Sequence, residues 1–414
     1  MSTLEAPIIV GIDVGTTKIC TLVARVEANN KFRILGVGIE PSRGLRKGVV
    51  VDIESASKAI KRSIDKAERT SGLEITTAQV SLAGSHVSSI NSQGASGVTG
   101  GIIDQHDVFR ALDSAKAVSI PHNRDIVHVI QRGFTVDGQD GIHKPIGMHG
   151  YRLEVEAHII TAASTSLDNL EQCVNAAGAE VEAFVLNPLA SAESVLTETE
   201  REMGVVVCDI GGGTTDLAIY INGDVWHTMV MGIGGNLITS DITHGLSLSI
   251  EQAEQVKIEH GYAIRSEVDE EEVFQIRPFG EDALKEYKRS DLALIIEARV
   301  EELFSYVVQE IKRSGYDGLL PAGMVLTGGT SALPGIKDFA RKMLNCPVRV
   351  AQPENLLGMT DQLHSPAFST SVGLLEWTVL MNTISYEKDT YRKQIHQDTV
   401  SWNKVINFLR RLLP

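Results

Sequence analysis

Short apolar runs alternate with stretches of helical period along the 414-residue chain. Residues 7–13, 18–26 and 32–40 are brief and rich in β-branched side chains, which predicts three strands, with Asn29-Asn30 turning between the second and third. The period then changes. Ile53, Ala56, Ala59, Ile60, Ser63, Ile64 and Ala67 share one helical face over 53–70, and Lys58, Lys61, Arg62, Asp65 and Arg69 point away from it. A strand is expected at 78–83. Residues 84–160 differ in texture: Gly94, Gly97, Gly100 and Gly101 break the first part, and a helix runs from Asp104 to Val118. Strands at 126–137 and 151–161 flank a glycine-punctuated loop, Gly138 to Gly150. A helix at 167–177, a strand at 181–185 and a helix opening at Asn187-Pro188 complete the first half.

The second half opens on a buried strand, Val205 to Cys208, and resumes as a strand from Leu217 to Ile221. Gly232-Ile233-Gly234-Gly235-Asn236 opens a helix to about Gly245, and Glu251 to Lys257 is the next helix. Residues 264–290 are strongly charged, with Glu267, Asp269 to Glu272, Lys285, Lys288 and Arg289; they offer no catalytic geometry and read as solvated surface. A long helix, Ser290 to Ser314, buries Leu292, Ile295, Ile296, Val300, Leu303, Phe304 and Val307. A further helix is expected at 335–344. From Asn382 to Asp398 the chain turns polar and reads as a linker. In the last segment, Trp402, Val405, Ile406, Leu409, Leu412 and Leu413 share a face flanked by Phe408, opposite Lys404, Asn407, Arg410 and Arg411.

The chemistry lies between strands. In GVVVCDIGGGTTDL, Gly204 to Leu217, three glycines at a strand end let the backbone turn tightly and bring N–H groups close to a bulky anion. Thr214 and Thr215 add hydroxyl donors, and Asp209 stands where a carboxylate can hold the hydration shell of Mg²⁺. This is strand, phosphate-binding turn, strand, and not a P-loop. A glycine turn between core strands would be the plain reading, but the layout occurs twice. Ile8 to Val26 repeats it with Asp13, Gly15, Thr16 and Thr17, about half the chain away. A third glycine turn, Thr327-Gly328-Gly329, ends the strand that starts at Met324. Tandem phosphate turns with a third downstream fit a two-lobed nucleotide-binding fold. The Gly232–Asn236 loop, feeding a helix N-terminus, suits an anion or a sugar. Glu254 and Lys257 share a helix face, as a nucleotide contact or as a solvated ion pair.

Composition narrows the classes. A net charge of −15 and a pI near 5.3 weigh against a nucleic-acid partner. The start, MSTLEAPIIV, has neither the basic region nor the apolar core of a signal peptide, and no apolar run reaches the ~20 residues that span a bilayer. Cys20, Cys173, Cys208 and Cys346 lack metal or redox spacing and read as reduced thiols. His122, His128, His143, His149 and His158 cluster in 84–160 without metal-ligand spacing. The thirteen-residue terminal helix is too short to span; basic and amphipathic, it reads as an interfacial membrane anchor. The polar linker before it argues against a helix docked on the protein's own core.

The motifs DVGTTK, DIGGGTTD and LTGGTSALPG resemble the phosphate and adenosine motifs of the actin, heat-shock chaperone and sugar kinase superfamily. More closely, residues 36–52, 203–220 and 323–336 resemble the FtsA family of bacterial actin-like division proteins, and the resemblance extends along essentially the whole chain. It implies an α/β, actin-like two-lobed fold with duplicated RNase-H-like cores and an inserted small α+β subdomain. The expected division is 1–83 and 163–200 for the first core around an insert at 84–162, with 201–242 and 312–357 for the second core. The smaller subdomain at 243–311 would follow, then a return to lobe 1 at 358–381, a linker at 382–399 and a membrane helix at 400–414.

The resemblance also implies a site and partners. ATP and Mg²⁺ would lie in the cleft, with Gly15, Thr16, Thr17, Lys18 and Gly211, Gly212, Gly213, Thr214 and Thr215 on the phosphates. Asp13 and Asp209 would order the metal's water. Gly234, Gly235, Asn236, Glu254 and Lys257 would reach the ribose and adenine, and Gly328, Gly329 and Ser331 would pack on the adenosine. Asn187 opens what looks like the first connecting motif, where several relatives carry a glutamate that activates water; a neutral amide can orient water but cannot take its proton. Ser369 to Trp377 looks like the second connecting motif. The implied role is an actin-like protein that polymerises on the cytoplasmic face of the bacterial inner membrane. There it tethers FtsZ by its C-terminal tail, binds anionic lipid and recruits later division proteins such as FtsN through the insert. A small-molecule kinase and a PilM-like pilus module are the alternatives, and neither carries the amphipathic tail.

Overall fold

A computed structural model describes residues 7–27, 31–354 and 356–381; the Asn29-Asn30 turn, the linker and the membrane helix lie outside the described residues. β1 (Ile8–Val14), β2 (Lys18–Val26) and β3 (Phe32–Pro41) pair as an antiparallel meander. A small hairpin of β4 (Leu45–Arg46) and β5 (Val49–Val50) leads to α1 (Ile53–Ser71), whose Asp52 cap accepts from the Ser55 N–H and whose stop is Gly72 in the left-handed region. β6 (Thr77–Leu82) returns parallel to β1.

The chain then leaves this sheet. β7 (Ser88–Gly97), α2 (Gln105–Lys116), β8 (Arg124–Val136), β9 (Gln139–Ile142) and β10 (Arg152–Ala163) form a separate antiparallel sheet, order β7-β10-β8-β9, with its own core against α2. Two expectations need correction here. Of the four glycines taken to break the first part of 84–160, Gly94 and Gly97 fall in the ten-residue strand β7 and Gly100 and Gly101 follow it; a Cβ on Gly94 would sit 2.1 Å from the Ala111 carbonyl oxygen. The glycine is there to let α2 approach. The loop 138–150 contains β9, turned by Asp137 and Gly138 at φ 47° and 85°, a pair suited to a type I′ hairpin. Of the histidines, His158 is buried and His128 half-buried, and both are held neutral, desolvation pushing them down to about 3 and about 4. His158 spends both ring nitrogens, on Asn91 Oδ1 (2.7 Å) and Thr228 Oγ1 (2.9 Å).

The first sheet resumes through α3 (Ser164–Ala177) and β11 (Glu180–Leu186), giving the order β11-β6-β1-β2-β3. α4 (Asn187–Val195) and the unanticipated α5 (Glu198–Met203), started by a Thr197/Glu200 capping box, lead into the second half. There β12 (Val205–Ile210), β13 (Thr215–Ile221) and β14 (Asp224–Met231) repeat the antiparallel meander. α6 (Gly235–Leu246) and α7 (Ile250–His260) follow. β15 (Val273–Ile276) and β16 (Lys285–Lys288) form a hairpin inside the charged run that had read as surface alone; its inner face stacks Phe274 between His260 (4.7 Å) and Tyr287 (5.9 Å). α8 (Arg289–Ser314) crosses back to β17 (Gly323–Thr327), parallel to β12. α9 (Ile336–Leu344), β18 (Val348–Val350) and β19 (Leu356–Gly358) follow, and α10 (369–381) ends the described chain.

The two large sheets share one plan: a three-stranded meander, then strands added in parallel beside its first strand; in the first sheet β19 also joins the other edge, parallel to β3. The order is β11-β6-β1-β2-β3-β19 in one and β14-β13-β12-β17-β18 in the other. α4 and α10 pass between them in backbone contact, for a Cβ on Gly373 would lie 1.7 Å from the Ala190 carbonyl oxygen. One hydrophobic core therefore joins β1 and β6 to β12 and β13 through Leu189, Ala190 and Leu374.

Candidate functional site

Each meander turns first through glycine, and the two turns are the same. Gly15 N–H donates to the Lys18 carbonyl (3.0 Å), and Gly211 N–H donates to the Thr214 carbonyl (2.9 Å). The turns meet face to face. A Cβ on Gly212 would fall 2.0 Å from Thr17 Oγ1, and one on Gly213 would fall 2.5 Å from Thr16 Oγ1, so only glycine allows this approach. The second turn spends its carbonyls away from the cleft: Gly211 O accepts from Gly235 N–H (2.9 Å) and Thr330 Oγ1 (3.0 Å), and Gly212 O from Asn236 N–H (2.8 Å). Repulsive oxygens are thereby kept off any anion lying on the turns.

Between the turns lies a cavity of about 300 Å³. Asp13, Gly15, Thr16, Thr17, Lys18, Asn187, Asp209, Gly211, Gly212, Gly213, Thr214, Asn236, Glu254, Lys257, Gly328 and Gly329 line it, joining both halves of the chain. Thr215, Gly234, Gly235 and Ser331 stand behind its wall. The Thr215 hydroxyl donates to Ile233 O (2.9 Å) and the Ser331 hydroxyl to Gly328 O (2.7 Å), while Thr330 takes the lining position. Lys18 lines the cavity, but its ammonium donates to the Ala367 carbonyl and lies 4.5 Å from the centre of the Phe368 ring.

Carboxylates collect at the floor. Asp13 accepts from Ser81 Oγ (3.1 Å) and Ser371 Oγ (2.6 Å); Asp209 accepts from Thr370 Oγ1 (2.9 Å). Burial pushes Asp209 up to about 6 against the Thr370 hydrogen bond, with the neighbouring Asp13 charge adding to the rise. Asp216, whose β13 position is paired with Asp209, is raised well above the usual carboxylate range, first by burial and then by the Asp209 charge. Among the described residues no three His, Cys, Asp or Glu side chains are placed to ligate a metal directly. Asp216 Oδ1 and Asn187 Oδ1 are buried without a hydrogen-bond partner and line the same cavity, which calls for a polar, hydrated occupant.

The far end is different. Lys257 Nζ donates to Glu254 Oε2 (2.6 Å), Thr239 Oγ1 (2.9 Å) and Gly235 O (3.3 Å), and Thr239 donates to Glu254. This is a network rather than a free surface pair, and its Glu254 and Lys257 line the cavity together with Ile258, Leu333 and Pro334. Apolar walls beside fixed polar groups suit a flat ring carrying hydroxyls. Asp216, Thr330 and Thr370 were missed from sequence. The signal for Asp216 was present, since it closes the same DIGGGTTD string, eight residues long, that begins with Asp209.

A family model described as "Cell division protein FtsA" matches residues 206–373, and one described as "SHS2 domain inserted in FTSA" matches 84–161. The chain is 42% identical over 374 residues to the cell division protein FtsA of Pseudomonas aeruginosa, covering 90% of each. It is 37% identical over 380 residues to that of Escherichia coli K12, again covering 90% of each. Against that of Bacillus subtilis it is 39% identical, over 89% of this chain and 82% of the relative. Among solved structures, a PilM–PilN type IV pilus biogenesis complex matches with TM-score 0.63 at 16% identity, over 90% of this chain and 98% of that one. MreB5 of Spiroplasma citri bound to ADP matches with TM-score 0.56 at 16% identity, over 93% and 99%. Such distant likenesses speak for the fold alone, which is the actin-like one.

Proposed function

The chain belongs to the FtsA family of actin-like cell division proteins, and from that premise we propose that it binds ATP with Mg²⁺ in the cleft and anchors FtsZ filaments to the inner membrane. The observation that carries the nucleotide part is the meeting of two glycine turns with the same hydrogen-bond pattern, one from each sheet, over Asp13 and Asp209. Thr16, Thr17, Lys18 and the 211–214 turn would hold the phosphates. Asp13 and Asp209 would hold the hydrated Mg²⁺, with Asp216 beside them. Gly328 and Gly329 would pack on the adenosine, and the Thr239–Glu254–Lys257 network would meet the ribose. Mg²⁺, when bound, neutralises phosphate charge. Asn187 orients water by hydrogen bonding and takes no proton, so turnover is slow.

The membrane part rests on the sequence of residues 401–413, apolar on one helical face and basic on the other. No helix among the described residues is long and apolar enough to cross a bilayer. One short helix binds weakly, and self-assembly into actin-like filaments multiplies the anchors. FtsZ would dock through its C-terminal tail on the 243–311 region, and later division proteins such as FtsN on the insert, all at the cytoplasmic face of the septum. The test is cosedimentation of the full chain with anionic liposomes and purified FtsZ, beside calorimetry of ATP with and without Mg²⁺. FtsZ left in the supernatant despite membrane-bound chain would sink the tether, and no Mg²⁺-dependent ATP binding would sink the cleft.

A further inference from the structure

Residues 366–371 cross the cleft and are tied to both sheets. Pro366 O accepts from Gly328 N–H (3.1 Å) beside β17, and Ala367 O accepts from Lys18 of β2. Ser369 Oγ shares a 2.6 Å hydrogen bond with Thr327 of β17, and Ser369 O accepts from Ser194 Oγ (2.8 Å) of α4. Thr370 then donates to Asp209 of β12 (2.9 Å), and Ser371 donates to Asp13 of β1 (2.6 Å). Thr370 and Ser371 are neighbours in the first turn of α10, about 100° apart around it. One helical turn therefore presents two hydroxyls to two carboxylates that arrive from different sheets. All four residues are buried.

A hydroxyl that donates to a carboxylate fixes which way its oxygens face. The holds are unequal. Asp13 is gripped twice, by Ser371 and by Ser81, and Ser81 is itself held by the Val14 N–H (2.8 Å). Asp209 accepts from Thr370 at 2.9 Å, and the Ser191 hydroxyl beside it directs its hydrogen to Asn187 O (3.0 Å). We propose that Thr370 and Ser371 are positioning residues that set the two carboxylates, one from each sheet, to share the water shell of a single nucleotide-bound divalent cation. This rests on the reading of the cleft as an ATP–Mg²⁺ site.

The test measures ATP affinity of the full chain by calorimetry, with Mg²⁺ and with chelator, for the wild type, Thr370→Val, Thr370→Ser and Ser371→Ala. Thr370→Val keeps the shape and removes the donor. It should lose about tenfold or more of the Mg²⁺-dependent tightening, the scale of a hydrogen bond to a charged group. Metal-free affinity should stay within about twofold. Ser371→Ala should lose less, because Ser81 still grips Asp13, and Thr370→Ser should restore the wild-type behaviour. Wild-type Mg²⁺ dependence in Thr370→Val, equal losses with and without the metal, or failure of Thr370→Ser to rescue would each overturn the proposal. A wild type that binds no ATP would instead overturn the reading of the cleft, and this proposal with it. If Thr370→Val shows no cooperative melting transition, it has failed to fold. The Ser81→Ala/Ser371→Ala double variant, which frees Asp13 by removing only small groups, then decides by the same two measurements.

Discussion

Glu376 on α10 makes a sharp prediction about stability. Its neighbours are Glu193 on α4 and Arg201 on α5, and the cation is already taken. Arg201 Nη1 pairs with Glu193 Oε1 (2.9 Å), Nη2 donates to Ala192 O (2.9 Å), and the guanidinium lies 4.9 Å from the centre of the Tyr220 ring. Burial pushes Glu376 up to about 8 from an ordinary 4.5; the Glu193 charge adds to the rise, and Arg201 offsets part of it. The burial is forced, since α10 meets α4 backbone to backbone at Gly373. As pH rises from 4.5, the unfolded chain releases this proton first, so the folded state binds more protons and stability falls until about pH 8. Each unit of gap is worth about 1.4 kcal/mol. Solvent reaches part of the side chain, so the whole loss is discounted to roughly 2–4 kcal/mol. Glu376→Gln keeps the shape and has nothing to ionise. It should match the wild type near pH 4.5 and exceed it by that amount at pH 9. Urea unfolding of both proteins across this range is the assay. A difference that stays constant with pH, or a wild type that is the more stable at pH 9, would mean that Glu376 is ionised and paired in the folded state, and the argument would fail.

Other outcomes follow from single contacts. Phosphate release from ATP should stay below ~1 s⁻¹ while Asn187 stands at the head of α4, and Asn187→Glu should raise it; faster wild-type release would expose a base elsewhere. Gly94→Val should destabilise the inserted sheet by about 1–3 kcal/mol, because the new Cβ meets the Ala111 carbonyl; an unchanged melting curve would show that α2 can shift freely. Trp402→Glu, or truncation after Met381, should release the protein from anionic vesicles in flotation while leaving ATP affinity intact; equal flotation of all forms would mean that the tail is not the anchor.

Much of the two large sheets was legible because their signals are local. An apolar run, a glycine turn and a second run sit within about twenty residues, and the repeat made them readable twice. The same reading misjudged Gly94, since its reason is a helix that packs against it from residues 105–116. It missed β15 and β16 because their outward charges outnumber the two inward aromatics, Phe274 and Tyr287. Asp216 shows a subtler limit. In the first meander Asp13 pairs across the turn with Cys20; in the second, Asp209 pairs with Asp216. Laying the repeats on each other would have marked the extra acid, because duplication makes a difference between copies informative. No such comparison reaches Thr370 and Ser371. Their worth comes from Asp209 and Asp13, which lie far up the chain and on separate sheets. The turns are written locally, whereas the spacing between the two carboxylates is decided by a helix that no window around either turn contains.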